Sequence, residues 1–544
     1  MSRNLVELVR RHHEQGAPTA LEVLKEAMDQ RGEITDDDRR VAAERSGLPE
    51  AAVHGVSTFY DDLLVPRGER HVRVCTGTAC FAATGDAHVD TVKDALGLNL
   101  GERNADKSLS LAETVCLGYC HAAPAVRDGD IIDAGPGAIE RLLANATRPA
   151  PEPVFTSLLQ EPVLTRPGDW SGYEKALQQT PQELLAAVKA ADVKGRGGAG
   201  FPAGVKWEFA AKSPNPDKII VANGDEGDPG SYIDKLLMEE NPHLLLEGLA
   251  LAGYAVGAGH GFVLTRSEYP RSKPALEQAL EEARAAGHLG ERFDITIVEG
   301  AGSYVVGEET ALLACLQGLR GTVSARPPFP AERGVHGLPT VVNNVETLCN
   351  IAFIAKHGAE AYRALSPEGA TPGSKIVCFN ERFARPGAYE VPFGMTVREL
   401  CEDVAGGMAS GKAIKALQIG GPLAGILPGH KLDTVFDFQP LVLEGCMVGH
   451  GGIVAFEELT DMRAVATHLL HFGAAESCGK CFPCRIGLQR AHAMFKAHDP
   501  IELSQLEQLL EALELGSLCA HGGGMPAPIR SLLAHFPEEL GLAT

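Results

Sequence analysis

Three cysteines recur at intervals of three in Cys478-Gly-Lys-Cys481-Phe-Pro-Cys484, and a fourth follows in Gly516-Ser-Leu-Cys519-Ala-His-Gly522. Thiolates at that spacing take three corners of a [4Fe–4S] cube from one turn of chain and leave the fourth iron to a distant segment. Zinc is the alternative, but zinc sites usually draw on two separated C-x-x-C pairs. A second quartet lies far upstream, in Cys75-Thr-Gly-Thr-Ala-Cys80 and Cys116-Leu-Gly-Tyr-Cys120. Two such loop pairs suit a [2Fe–2S] rhomb with one pair on each iron, with zinc again the alternative. The fold must therefore close two loop clusters far apart in sequence. Cys315, Cys349, Cys378, Cys401 and Cys446 have no such spacing and read as small buried hydrophobes.

Cysteines mostly assigned to iron, rather than to a disulfide frame, point to a reducing compartment, hence the cytoplasm. The first residues, Met1-Ser-Arg-Asn-Leu-Val-Glu-Leu, lack the long apolar core of a secretory signal. The most apolar stretch, Leu244 to Leu264, is interrupted by Glu247, glycines and His260, so no direct membrane insertion is expected. A net charge of −22 argues against nucleic acid as a partner. An anionic nucleotide then binds only where local cations and backbone N–H groups outweigh the overall field.

The 544 residues suggest several domains. Thr19-Ala-Leu-Glu22 and Thr35-Asp-Asp-Asp38 are helix starts, and His71-Val-Arg-Val74 reads as a strand leading into Cys75. Residues 1–145 form a helical unit followed by a small α/β unit whose loops carry the first quartet. Residues 146–174, with Pro149, Pro151, Pro153, Pro162 and Pro167, read as a surface-wrapped linker. A cluster carried beyond such a linker is expected to be a branch or docking element, and the rest to work without it. Thr180-Pro-Gln-Glu183 restarts helix.

The middle of the chain alternates strands and helices, with β-rich runs at Lys218–Ala222, Gly261–Thr265 and Asp294–Val298. Ligands on such sheets bind beyond the carboxyl ends of the strands. Those ends carry Asn223-Gly-Asp-Glu-Gly-Asp-Pro-Gly230, Arg266-Ser-Glu-Tyr-Pro270 and Gly300–Thr310. Another glycine loop, Gly195-Arg-Gly-Gly-Ala-Gly-Phe-Pro202, precedes Lys206-Trp207. Its glycines let backbone N–H groups approach phosphate, with Arg196 and Lys206 as the charge. No G-K-[ST] ends it, so it is not a Walker loop.

These motifs, with Gly302-Ser-Tyr-Val-Val-Gly-Glu-Glu-Thr310, Pro327-Pro-Phe-Pro330, Asn343-Asn-Val-Glu-Thr347 and the Cys478 cluster, resemble the NADH-binding flavoprotein subunit of respiratory complex I and its relatives. Residues 1–145, with Ser57-Thr-Phe-Tyr60, resemble the thioredoxin-like [2Fe–2S] subunit of the same enzymes, fused here to the flavoprotein. The resemblance implies a multidomain α/β protein. It has a helical plus thioredoxin-like N-terminal domain, a Rossmann-like FMN- and NADH-binding domain at 175–370, a ubiquitin-like β-grasp insert at 371–440 and a C-terminal helical [4Fe–4S] domain at 441–544. FMN is implied against Gly195, Arg196, Gly197, Gly198, Lys206, Asn223, Asp225, Glu226, Asp228, Tyr304, Gly307, Glu308, Glu309, Asn343, Asn344 and Thr347. NAD(H) is implied near Phe201, Phe209, Arg326 and Phe329, with Glu309 positioning the nicotinamide. Arg326 stands where relatives commonly carry lysine and Asp228 where they carry glutamate.

The resemblance further implies a diaphorase. Hydride passes between NAD(H) and FMN, single electrons pass to the clusters, and no side chain acts as nucleophile. The partner is a catalytic subunit of iron–sulfur, molybdenum, tungsten or hydrogenase type in a hetero-oligomer. Fusion of the two subunits favours a formate dehydrogenase; an NAD-reducing hydrogenase, complex I, another NAD-linked reductase and a non-catalytic electron relay are the alternatives.

Overall fold

Local chemistry starts the helices. Thr19, Thr35 and Thr180 each cap a helix through a reciprocal bond with Glu22, Asp38 and Glu183; losing such a cap costs about 1 kcal/mol. This computed structural model describes residues 16–497 and 499–543, whose strands form three sheets. The leader-free start expected at Met1 lies outside the described residues.

The first sheet contains β1 (Arg70–Cys75), β2 (Glu102–Arg103), β3 (Leu109–Thr114), β4 (Ala125–Asp128) and β5 (Ile131–Ala134), in the order β2-β3-β1-β4-β5. β1 runs parallel to β3 and antiparallel to β4. The first quartet follows β1 and β3, but Cys75 ends β1 itself and Cys80 lies on the helix Thr78–Thr84, a correction to the loop placement expected from sequence.

Strand β6 (Val154–Ser157) lies where the sequence predicts a linker, and it pairs in parallel with a strand 233 residues on, Gly387 opposite Val154. The buried carboxylate of Glu390 then accepts the N–H groups of Val163 at 3.0 Å and Leu164 at 3.1 Å, and Trp170 is buried too. Prolines at an open sheet edge cost no ladder bonds, so a proline-rich segment can be an edge strand. Residues 146–174 are thus partly structured, a correction to the linker reading.

The second sheet is wholly parallel: β7 (Ile219–Gly224), β8 (His260–Thr265), β9 (Asp294–Glu299) and β10 (Thr340–Asn344), in the order β10-β7-β8-β9. Both faces of a parallel sheet are covered, which is why the helix Pro242–Val256 is apolar almost all round and buried along nearly its whole length. Register places Asn344 opposite Asn223 and Asn223 opposite Leu264, so the polar carboxyl ends share one edge.

The third sheet adds β11 (Ser374–Phe379), β12 (Gly387–Pro392), β13 (Ile414–Ile419), β14 (Ile426–Pro428) and β15 (Gly452–Glu457), in the order β14-β13-β15-β11-β12-β6. It therefore takes strands from both sides of the 371–440 insert, and the boundary at 440 cuts a single sheet. Helices Met462–Ala475, Leu488–Lys496, Leu503–Gly516 and Pro526–His535 complete the chain around the second quartet. Among the described residues, no helix is long and apolar enough to cross a membrane.

Candidate functional site

The loop Gly195–Pro202 is closed by its own backbone, the Gly195 N–H donating to Phe201 O at 3.0 Å. A Cβ on Gly197 would stand 2.9 Å from Asn344 Cβ, whereas one on Gly198, whose φ is +123°, would meet nothing within 4 Å. The loop is tight on one side and open on the other, which fits a cradle for a bulky anion.

Arg196 differs from its expected role. Its guanidinium is buried and turned inward, donating to Lys194 O at 3.1 Å, Tyr362 Oη at 3.0 Å and Pro372 O at 3.1 Å over the ring of Phe393. Three fixed acceptors draw the planar fork into the protein, and the residue pins the loop. Its backbone N–H donates to Thr347 Oγ1 at 2.8 Å. Lys206 supplies a cation at the pocket instead, its Nζ reaching Val342 O at 2.9 Å and Glu309 Oε2 at 3.3 Å. Arg326 pairs with Glu308 and lies 3.1 Å from Glu309. Glu308 also caps the helix Glu309–Leu316, accepting from the Thr310 N–H at 2.8 Å. Phe201, Phe209 and Phe329 are 50%, 64% and 53% exposed, aromatic faces that no core claims.

At the strand ends, Asn223 Nδ2 donates to Gly307 O at 2.8 Å and Trp207 Nε1 donates to Asn343 Oδ1 at 2.7 Å. Asp225 lies 3.6 Å from Arg266, and among the described residues its buried Oδ2 has no partner. Burial pushes its carboxyl up to about 8 against the pull of Arg266, so it can donate to a ligand oxygen near neutral pH. Glu226 is wholly internal. Its carboxylate accepts from Ser231 Oγ at 2.6 Å and from the N–H groups of Ile233 at 2.7 Å and Lys235 at 3.0 Å, so it shapes the acidic loop rather than facing a ligand. Asp228 accepts from Tyr304 Oη at 2.6 Å, and the Tyr304 N–H donates to Glu476 Oε2 at 2.9 Å, two residues before Cys478. Tyr304 thereby ties the acidic loop to the second quartet.

The cysteines of each quartet lie near one another. Cys116 and Cys120 sulfurs lie 3.6 Å apart. Hydrogen bonding to Cys75 raises Cys80 above the ordinary thiol value and the matching bond lowers Cys75, which puts those two side by side. In the second quartet, burial pushes Cys484 up to about 12 and Cys519 up to about 11, with neighbouring sulfurs adding to the cost of a thiolate. Four sulfurs so placed carry charge readily only around a metal centre. The two sites differ in setting. The Gly230 N–H of the acidic loop donates to Cys120 Sγ at 3.3 Å, and the Glu381 N–H to Cys120 O at 3.1 Å. Tyr60 Oη donates to Leu319 O at 2.7 Å. The N-terminal unit is thus built into the core, not held beyond a linker as the sequence suggests.

Sequence reading missed Arg266, Asp234, Tyr269 and His450, which hold the acidic loop from behind. Arg266 and Tyr269 both donate to Glu226 O, at 2.7 Å and 2.9 Å. Arg266 and Tyr269 sit in the strand-end loop Arg266–Pro270, but His450 in Gly449-His-Gly-Gly452 carried only a short glycine signal.

Parallel-strand ends with a glycine cradle, flanked by two four-sulfur sites, define a nucleotide-binding iron–sulfur flavoprotein. Residues 188–353 match the Nuo51 FMN-binding domain, residues 6–143 the thioredoxin-like [2Fe–2S] ferredoxin, and residues 464–542 the NADH-ubiquinone oxidoreductase-F iron–sulfur binding region. The F 2 subunit of the NADH-quinone oxidoreductase of Rhizobium meliloti (strain 1021) is 40% identical over 385 residues, 68% of this chain and 91% of that relative. The NADP-reducing hydrogenase subunit HndC of Solidesulfovibrio fructosivorans is 40% identical over 385 residues, 68% of this chain and 78% of its own length. A chain of the NAD⁺-reducing [NiFe]-hydrogenase, crystallised in the H₂-reduced state, aligns with a TM-score of 0.87 and 31% identity over 96% of this chain and 93% of its own. The chain belongs to the family of FMN- and iron–sulfur-containing NADH oxidoreductase flavoprotein subunits, with FMN, a [2Fe–2S] and a [4Fe–4S] cluster as cofactors and NAD(H) as substrate.

Proposed function

We propose that this chain is the NAD(H)-reacting diaphorase subunit of a soluble multi-subunit enzyme, and that its partner docks over the Cys478 site. Bound FMN supplies a carrier that takes electrons in pairs from nicotinamide and releases them singly. The chain's part is placement. The Gly195–Pro202 loop and Lys206 hold phosphate, Asp225 and Asn223 offer polar groups at the strand ends, and Phe201, Phe209 and Phe329 offer faces to the nucleotide rings. Glu309, poised between Lys206 and Arg326, is the candidate for orienting the nicotinamide.

One observation carries the docking assignment. Phe482 is 77% and Leu515 78% exposed, Ile486 and Leu518 are exposed beside them in sequence, and Lys480, Arg485 and Arg490 are exposed on the same segments. An exposed apolar group beside a cluster, ringed by cations and by the exposed Glu511 and Glu514, suits a partner surface. A formate dehydrogenase is the first reading of the whole enzyme, but the hydrogenase chain aligned over 96% of this chain spans the same two fused units, so fusion alone does not select formate. The full-length likeness to a hydrogenase chain favours a hydrogenase-type partner as the second reading. Co-purification of the native complex, followed by NAD⁺ reduction with formate and with H₂, separates them.

The flavin assignment is tested by Gly198→Asp. A carboxylate in the open side of the cradle, at a left-handed φ, should weaken FMN binding about a hundredfold or more, since opposed like charges cost several kcal/mol. Both iron–sulfur signals should remain. Full flavin content in the variant would refute the placement.

A further inference from the structure

His450 belongs to the glycine run Gly449–Gly452 ahead of β15, and this run threads between the two loops that frame the flavin site. Gly449 forms an antiparallel bridge with Gly198, and a Cβ on Gly452 would stand 2.7 Å from the Gly230 carbonyl carbon. The His450 side chain is buried, with Nδ1 3.0 Å from Glu226 Oε1 and 3.2 Å from Ser231 Oγ, and Nε2 3.2 Å from Asp234 Oδ2. A neutral imidazole has one N–H; it would satisfy one carboxylate and turn a lone pair on the other. Only the imidazolium donates to both carboxylates, whereas a neutral ring would donate through Nδ1 and take the Asn344 Nδ2 donor, 3.2 Å away, on Nε2. Burial opposes that charge, and the two carboxylates outweigh it, holding the ring well above its ordinary pKa.

Among the described residues, no other side-chain cation is paired with either acid. Glu226 otherwise takes Ser231 and two backbone N–H groups; Asp234 takes Asn344 Nδ2 at 2.6 Å and the Glu346 N–H at 3.2 Å. Lys375, which pairs with Glu346, reaches the His450 carbonyl at 2.9 Å, not the acids. The three groups therefore sum to one negative charge with the ring protonated and two without. Asn344 links them to the cradle. Its Nδ2 donates to the Asp234 Oδ2 that also faces His450 Nε2, its Oδ1 accepts the Thr347 N–H at 3.1 Å, and its Cβ fills the space beside Gly197.

We propose that His450, held as an imidazolium between Glu226 and Asp234, is a positioning residue of the flavin site that fixes Asn344 and the acidic loop and whose buried positive charge eases reduction of the FMN bound there. The inference rests on the flavin reading. Reduction adds negative charge to the site, and a fixed charge in a poorly solvated surrounding acts on it more strongly than it would in water.

Two substitutions in the full chain separate charge from packing. His450→Gln removes the trio's positive charge and Asp234→Asn removes one of its acids, while both leave side chains able to hydrogen-bond. The two-electron midpoint potential of bound FMN, read by spectroelectrochemistry, should fall in His450→Gln by about 30 mV, equivalent to a tenfold loss of preference for reduced flavin. It should rise in Asp234→Asn. Shifts of the same sign in both variants, or none, would overturn the proposal, and Asp234→Asn alone decides the sign if His450→Gln does not fold. A second readout needs no turnover. Nitrogen-15 NMR of the full chain, with FMN removed and restored, should show both His450 ring nitrogens protonated at neutral pH. A neutral ring in an FMN-loaded chain would overturn this inference alone; a wild-type chain that takes up no FMN would remove the flavin reading and this one with it.

Discussion

The two cysteine quartets carry similar chemistry in opposite surroundings. Cys75, Cys80, Cys116 and Cys120 are all buried in the core shared with the parallel-sheet domain, and the acidic loop itself donates to Cys120 Sγ. Around Cys478, Cys481, Cys484 and Cys519, by contrast, Cys481 and Cys519 are partly exposed and an apolar rim faces outward. Electron transfer between proteins needs a short path through a surface, and only the second site offers one. The first faces inward, with Cys120 against the loop of the flavin site.

Breaking the outward site should have the largest effect. Cys484→Ser should leave NADH able to bleach the flavin in stopped-flow absorbance, while transfer to the partner falls by more than the about 10–100-fold typical of losing an outer-shell group. Retained partner turnover with lost flavin reduction would reverse the order of carriers.

Removing the inward site by truncating residues 1–145 comes next. On sequence grounds the remainder should work alone, but the structure changes that expectation. The cut strips Tyr60 from Leu319 and the whole Cys75–Cys120 unit from the acidic loop and Glu381, baring core. The truncated chain should lose the [2Fe–2S] electron paramagnetic resonance signal and most of its flavin together. A folded truncation with full flavin would restore the picture of a separable branch.

A milder test addresses the rim. Leu518→Asp should weaken partner binding about tenfold or more, as hot-spot losses do, while NADH oxidation by a small artificial acceptor stays unchanged. Equal loss of both activities would mean the rim serves the cluster and not a partner.

The smallest effect concerns the buried side. Burial raises Asp225 to about 8, so the folded chain keeps a proton that the unfolded chain releases above the ordinary value of 3.8. Stability therefore falls as pH rises between those values. Asp225→Asn should shrink the drop in Tm between about pH 6 and pH 8.5, measured by calorimetry on the flavin-free chain. An unchanged drop would assign it to other groups.

Much of this was legible locally. Cys478-Gly-Lys-Cys481-Phe-Pro-Cys484 names its ligands because three sulfurs on one short turn need no further information to converge. Thr19 with Glu22, and Thr180 with Glu183, announce helix starts for the same reason: each bond spans only three residues. The strand end at Asn223 followed from alternation of strand and helix, whereas the strand Thr340–Asn344 was not read and Asn344 entered only through the resemblance. Relations between distant segments were not legible. The direction of the Arg196 guanidinium depends on Tyr362 and Pro372, and the strand Val154–Ser157 exists because an open edge 233 residues later accepts it. Whether His450 is a loop residue or a buried cation depends on two acids brought to it from β7's loop and the helix after it. Sequence set which groups can bond within one or two turns of chain. Tertiary structure decided which charges are buried together and which cluster meets solvent, because burial and pairing are properties of surfaces that distant segments create only by packing.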